Sequence, residues 1–464
     1  MGDRGLARFG SALAGWSQRW MPDAFVFALL AVIVVFIAGL AFGSPAGDLV
    51  QYFGEGFWGL IPFTMQMVMI VIGGYVVASS VPIHRLICWL ASFPKTSRGA
   101  VAFVALVSTT TSLVSYGLSL IVGAFLAREI ARRMPKVDYR ALAAAAYLGL
   151  GSVWALGLSS SAALMMATKG SVPPALFNIS GLIPLSQTLY TWQNGVTALI
   201  LISVSVTVAY WSAPTGSAIR TAASLGVTFY GYDAPDMQLE ARRTPGEWLD
   251  YVPVLTIPIV LLGFAYLRQV IKAKGIQAAL DLNTYNLLFL MLGLLLHWRP
   301  RAFTRSVSSA VPATAGILVQ FPFYAGIFGM ISFSPIAHGL AQAFTRMSTR
   351  NTYPLIVSLY SVILGFFVPS GGGKWLIEAP YILAAAKDLH VNLGWTVQTY
   401  NAAEALPNLI NPFWMLPLLG IMKLKARDVV GYGLLQFLIN LPVVFFLMWL
   451  FSHTLPYVPP IMRP

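Results

Sequence analysis

The chain has 464 residues, of which 57% are hydrophobic and only 10% charged, and its mean hydropathy is +0.73. That balance excludes an ordinary soluble globular domain, and a single cysteine, Cys88, excludes a disulfide framework or a cysteine metal site. The formal charge of +13 is spread in short basic clusters beside apolar runs, the pattern that holds membrane-protein loops in the cytoplasm, so no nucleic-acid partner is expected.

Crossing a bilayer takes about 20 helical residues, and charge-free runs of that order recur from end to end. The first, Ala24–Phe42, follows Arg4, Arg8 and Arg19, opens at Pro22-Asp23 and lacks a small-residue cleavage site, so it reads as a retained helix. Gly43–Leu60 carries Asp48 and Glu55 and is expected outside as an amphipathic segment. Ile61–Val81 then returns to a basic cluster, Arg85, Lys95 and Arg98. Gly99–Ala127 lies between that cluster and Arg128, Arg132, Arg133, Lys136 and Arg140, so it must enter and leave on one side, as a hairpin. Its tip is the motif Ser115-Tyr116-Gly117-Leu118-Ser119. Ala141–Thr168 is interrupted by Gly149-Leu150-Gly151-Ser152 and Gly157-Leu158-Ser159-Ser160-Ser161, which predicts a broken helix, and Ser171–Ile219 completes this half.

Ala213–Asp250 reads as a polar cytoplasmic connector, and Arg299, Arg301 and Arg305 are again cytoplasmic. Arg268, Lys272 and Lys274 fall on the opposite side of this count. From 307 onward the pattern repeats: Ser80-Val81-Pro82-Ile83-His84 answers to Ser334-Pro335-Ile336-Ala337-His338, the two prolines lying 253 residues apart. Asn351–Gly373 leads into a second tip, Val368-Pro369-Ser370-Gly371-Gly372-Gly373-Lys374, and Pro407-Asn408-Leu409-Ile410-Asn411-Pro412 breaks the helix after it. Val429–Met462 closes the chain. The expected fold is an all-α polytopic membrane protein of roughly 10–13 membrane segments. It has two inverted repeats, 61–212 and 307–464, each with a re-entrant hairpin and a broken helix, after an N-terminal helix and amphipathic segment, 1–60, and around a connector, 213–306.

Non-helical backbone survives at membrane depth only where it is buried in protein or lines a wet cavity. Helix N-termini at such breaks present free N–H groups, which suit an anion. Ser370 with the amides of Gly371, Gly372 and Gly373 would cradle a carboxylate, with Lys374 as a nearby point charge and Ser115, Tyr116, Gly117 and Ser119 opposite. The alternative is that these glycines only let helices turn and pack. The stretch is not a phosphate-binding P-loop, since Trp375 follows the lysine and no strand precedes it. Lys374 and Glu378, four apart, can equally pair with each other. Glu404 precedes the second break and has no base beside it in sequence, which suggests proton coupling, orientation of Asn408, or an interfacial carboxylate. Ser152, Ser159, Ser160, Asn408 and Asn411 offer oxygens and amides to substrate or sodium, or cap the breaks. The five histidines lack ligand spacing and no nucleophile–base constellation lies at membrane depth, so neither a metal nor an enzyme activity is expected.

"FVPSGGGKW", Ala313-Thr314-Ala315-Gly316-Ile317-Leu318-Val319-Gln320-Phe321-Pro322-Phe323-Tyr324-Ala325-Gly326, the run from Leu126 to Arg133, and Asn411-Pro412-Phe413-Trp414 together resemble the bacterial short-chain fatty acid transporters of the AtoE type, in the ion-transporter superfamily. The resemblance covers essentially the whole chain. It implies a bacterial inner-membrane carrier, in contact with lipid and as a homodimer, that moves small monocarboxylates such as butyrate or acetoacetate by an elevator-like mechanism. No cofactor is implied beyond a coupling ion, H+ or Na+. A histidine is more usual in the family at Lys374, a Trp-Gly-Phe-Gly-like motif at 115–118, and glutamine at Glu378 and Asn411, so a dicarboxylate or other organic-anion carrier, or a passive anion channel, is the alternative reading.

Overall fold

The computed structural model describes residues 24–59, 61–167, 174–229, 244–275, 282–336, 346–367, 371–411 and 414–460, with single residues 8, 9, 12, 19, 172 and 242. Ser370 in the second tip and Ala337 and His338 in the repeat lie outside the described residues.

In chain order the helices are α1 (Ala24–Ala41), α2 (Ala46–Gly59), α3 (Ile61–Ala78), α4 (Val81–Leu90), α5 (Ser97–Val114), α6 (Tyr116–Arg133), α7 (Tyr139–Leu148), α8 (Ser161–Ala167), α9 (Pro174–Ser180) and α10 (Trp192–Ser212). They continue as α11 (Thr256–Lys274), α12 (Leu282–His297), α13 (Pro300–Ala310), α14 (Ala315–Phe333), α15 (Tyr353–Phe367), α16 (Gly371–Asp388), α17 (Leu393–Ala405), α18 (Leu416–Met422) and α19 (Ala426–Ser452). Among the described residues five helical stretches are long and apolar enough to cross a membrane, or up to seven if each of two bent helix pairs is one span. The protein is an all-α, multi-pass membrane protein.

Local chemistry sets the boundaries. Ser80 is extended and Pro82 opens α4, so α3 and α4 meet at 77° instead of running on. Ser334, also extended, ends α14 at the equivalent point. The side chains of Thr96, Asp138, Thr191 and Asn392 accept the N–H of Gly99, Ala141, Asn194 and Trp395 and so start α5, α7, α10 and α17.

The helices form two bundles. In one, α14 packs on α1, α2 and α3, α3 on α12 and α13, and α11 on α12. The other holds the two hairpins, the two broken helices, and α10 and α19, which pack on each other. The bundles meet mainly where α6 lies against α3 and α4, and where α18 lies against α14 and the turn at 311–314. Ala46–Gly59, read from sequence as an external segment, is a helix laid along α14.

Each hairpin grips the far arm of the other half's broken helix: α6 packs on α18, and α16 on α8 and α9. Toward the C-terminal end of α6 the Arg128 Nη1 donates to the carbonyl of Ile421, and the Tyr139 hydroxyl donates to Met422 O at 3.1 Å. Both carbonyls lie at the C-terminus of α18, where a cation and a donor satisfy groups that have no intrahelical partner. The connector is held to the same end, for Arg220 N donates to Asp138 at 2.8 Å and Tyr139 N to Arg220 O at 2.9 Å.

Candidate functional site

The first hairpin folds back at Ser115. Its hydroxyl caps Leu118 N at 3.2 Å and hydrogen bonds with the Tyr285 hydroxyl of α12. Farther down, Ser119 donates to Ser108 O at 2.7 Å and Ser108 donates to Ala146 O at 2.7 Å, which ties both arms to α7. The two arms, Ser97–Val114 and Tyr116–Arg133, are 18 residues each.

The tip meets the first break. After α7 the chain passes through a π-helical turn, Gly149–Val153, and a 3-10 turn, Trp154–Leu156, before the bend at 157–159. Ser159 accepts Tyr116 N at 2.9 Å and donates to Ser112 O at 2.7 Å, while Leu158 N donates to Leu113 O at 2.7 Å. Glycine is required at 157, because a Cβ there would sit 2.2 Å from Leu113 O. The carbonyl of Leu156, released by the break, takes the Asn194 amide at 2.9 Å, and Asn194 is held in turn by Gln398 at 2.5 Å. The two breaks touch directly: the Tyr147 hydroxyl donates to Asn408 O at 2.8 Å.

The second tip is built differently. Lys374 is fully buried, donates to Ser361 O at 2.8 Å, lies 3.7 Å from Glu378 Oε1 and stands 5.0 Å from the Tyr400 ring centroid. Glu378 also accepts from the Ser361 hydroxyl at 2.9 Å. Tyr400 donates to Gly371 O at 2.6 Å and so ties the start of α16 to α17. Glu404, one turn further along α17, is 2% exposed and its Oε2 has no hydrogen-bond partner. A Cβ added to Gly371 would lie 3.4 Å from that oxygen and 2.6 Å from Trp154 Cη2. Glycine is therefore needed at 371 so that the first break and α17 can close on the second tip.

Trp154 bridges the tips, with its ring 5.7 Å from Tyr116 and its benzo edge on Gly371. Trp414 also meets Tyr116 edge-to-face, with ring centroids 5.9 Å apart. Above the buried cluster of Lys374, Glu378, Glu404 and Tyr400, the residues Tyr116, Leu158, Ser159, Ser161, Gly371 and Gly372 are half-buried. The arrangement is a partly exposed rim of hydroxyls and glycine backbone over one buried ammonium and two buried carboxylates.

Of the residues singled out in sequence, Tyr116, Ser159, Gly371, Gly372, Lys374 and Glu404 come together here. Gly373 lies in the first turn of α16. Others are spent on structure. Ser152 donates back to Leu148 O at 2.6 Å, and Ser160 caps Ala163 N at 3.1 Å. Gly117 faces Ile70, and Asn411 donates to Phe366 O at 3.5 Å. Asn408 meets Tyr147 through its backbone carbonyl. Lys374 is a paired charge and not a free one, which agrees with its i, i+4 spacing to Glu378. Sequence reasoning misses Trp154, Tyr400, Ser361 and Tyr147. Trp154 has a signal, an aromatic placed between two glycine–serine clusters; Ser361 has none.

The family model for "Short chain fatty acid transporter" matches residues 5–451. The chain belongs to this family. Two relatives named after it bear this out. One, from Escherichia coli (strain K12), is 36% identical over 429 residues, covering 92% of this chain and 96% of the relative. The other, from Haemophilus influenzae (strain ATCC 51907 / DSM 11121 / KW20 / Rd), is 33% identical over 445 residues, covering 94% and 98%. Among solved structures the transporter is similar to the YdaH transporter of Alcanivorax borkumensis, with a TM-score of 0.48 and 15% identity over 94% of this chain and 100% of that one. It is also similar to MtrF of Neisseria gonorrhoeae, with a TM-score of 0.41 and 12% identity over 98% and 100%. As a member of the short chain fatty acid transporter family, it is a transport protein and not an enzyme.

Proposed function

We propose that the protein is an ion-coupled secondary carrier of short-chain monocarboxylates such as butyrate or acetoacetate, working as a homodimer in the bacterial inner membrane. The observation that carries this reading is the meeting of two hairpin tips and two helix breaks around the Lys374–Glu378–Glu404 cluster. The half-buried glycine backbone at the start of α16 faces that meeting point. The substrate carboxylate takes the free amides at the start of α16, where the helix dipole favours an anion, and its short alkyl chain lies against Tyr116 and Trp154. Lys374 keeps the site from repelling an anion by neutralising Glu378, and does not ligate the substrate itself.

The two-bundle division supports an elevator-like motion, in which the hairpins and broken helices travel together against α1–α4 and α11–α14. The reciprocal grip of α6 on α18 and of α16 on α8 and α9 joins the moving elements into a single body. The coupling ion is H+ or Na+.

Uptake of labelled butyrate and acetoacetate into proteoliposomes, with an imposed proton gradient, sodium gradient or neither, tests this. Saturable accumulation that follows one gradient is the expected result. Flux that does not saturate and follows no gradient would make the protein a channel, and no flux of either acid would move the substrate to another anion.

A further inference from the structure

Glu404 carries an unusual burden: a carboxylate 2% exposed, with one oxygen lacking a hydrogen-bond partner among the described residues. A buried acceptor left without a donor destabilises the fold, and more so when it is charged. The oxygen lies beside the first residue of the 18-residue helix α16, 3.4 Å from the position a Cβ would take on Gly371. The same edge is met by Trp154, whose Cζ2 and Cη2 lie 3.2 and 2.6 Å from that position. Cζ2 is bonded to the carbon that carries Nε1, and this indole N–H is buried and also lacks an acceptor. A residue with an unfilled donor and one with an unfilled acceptor thus both close on Gly371, where the proposed function seats the substrate carboxylate.

We infer that Glu404 and the substrate carboxylate compete for this one edge, so that each substrate binds together with one proton on Glu404. This deepens the proposed function and rests on it. The charges around Glu404 require the coupling. From α16 come Lys374, Glu378 and the phenol of Tyr381, from α15 the phenols of Tyr353 and Tyr360, and from α17 itself Tyr400. The first break and α8 bring Trp154 and Ser161, and α19 has its only charged residues, Arg427 and Asp428, at its start. One ammonium therefore faces two carboxylates. A third anion has no counter-charge, and carboxylates repel one another more strongly in a low-dielectric site than in water. A proton on Glu404 restores the charge the site had before the substrate arrived. It also turns Glu404 into a donor for the incoming carboxylate, beside the Trp154 indole. Transport of a monocarboxylate is then electroneutral, one acid anion with one proton.

The test uses the purified wild type and Glu404→Gln in proteoliposomes. Wild type should accumulate butyrate about tenfold per unit of imposed pH gradient, since one proton per substrate equates the two gradients, and should not respond to a membrane potential alone. Glu404→Gln, whose amide stands for the protonated acid, should lose accumulation driven by the pH gradient, and the exchange of external labelled butyrate for internal unlabelled butyrate that it supports should not change with pH. Its butyrate binding, followed by intrinsic tryptophan fluorescence, should no longer weaken as pH rises. The inference is overturned by a variant that still accumulates with the pH gradient, or by binding that keeps its wild-type pH dependence. Loss of exchange and binding by soluble, monodisperse variant protein would overturn it too. Should that variant not fold, accumulation by wild type in response to a sodium gradient or to potential alone decides against it. Absence of any butyrate exchange by wild type would instead count against the proposed function.

Discussion

The two hairpins do the same architectural task with different chemistry. The first tip is held by neutral groups: Ser115 caps its own helix, and Ser159 links Tyr116 N and Ser112 O across to the break. The second is held by charge, with Lys374 between Ser361 O and Glu378 and with Tyr400 fastening Gly371. Neutral hydrogen bonds keep one geometry whatever proton or anion is near. A buried charge cluster changes its balance whenever either arrives. The first tip is thus suited to be a fixed wall, and the second to sense substrate and ion.

The largest expected effect that tests this contrast is Lys374→Met. Removing one partner of a buried ion pair costs about 3–5 kcal/mol, so the variant should lose most of its thermal stability in detergent and its uptake. Adding Glu378→Gln should recover some of the stability, and a double variant no more stable than the single one would show that the pair is not the fastening. Gly157→Ala comes next, because its methyl must displace the Leu113 backbone; such overpacking costs about 1–3 kcal/mol, read as a fall in melting temperature. Ser159→Ala removes the hydroxyl that accepts Tyr116 N and donates to Ser112 O, about 1–2 kcal/mol. It should lower substrate affinity through tip position while leaving the ion dependence of uptake unchanged; a changed ion dependence would erase the distinction between the tips. The smallest effect belongs to Ser152→Ala. Its hydroxyl only returns to Leu148 O, and the change should stay within about 0.5 kcal/mol with wild-type uptake kinetics.

Much of this was legible in the chain. The charge-free runs and basic clusters announced a multi-pass helical protein. Glycine and serine in apolar runs marked both tips and the first break, and proline with asparagine marked the second, because these residues let backbone leave the helix there. The spacing of Lys374 and Glu378 left pairing and substrate contact equally open, and the structure makes the pair. The fate of individual serines was not legible: Ser152 and Ser159 sit in similar local sequence, yet one bonds back to its own helix and the other crosses to the hairpin. Which of these happens depends on where the facing helix runs.

By itself, then, the sequence determined the membrane class, the order of hairpin and broken helix in each half, and the residue types available at each tip, since these follow from hydropathy, periodicity and local backbone preference. Only the tertiary structure decided that Ser361, thirteen residues before Lys374, would share its charge, that Tyr147 would join the two breaks, and that Trp154 and Glu404 would close on Gly371 from opposite halves. Those contacts join residues up to 261 positions apart. No local preference encodes such a pair, and it forms only when the two halves pack so that their broken ends satisfy one another.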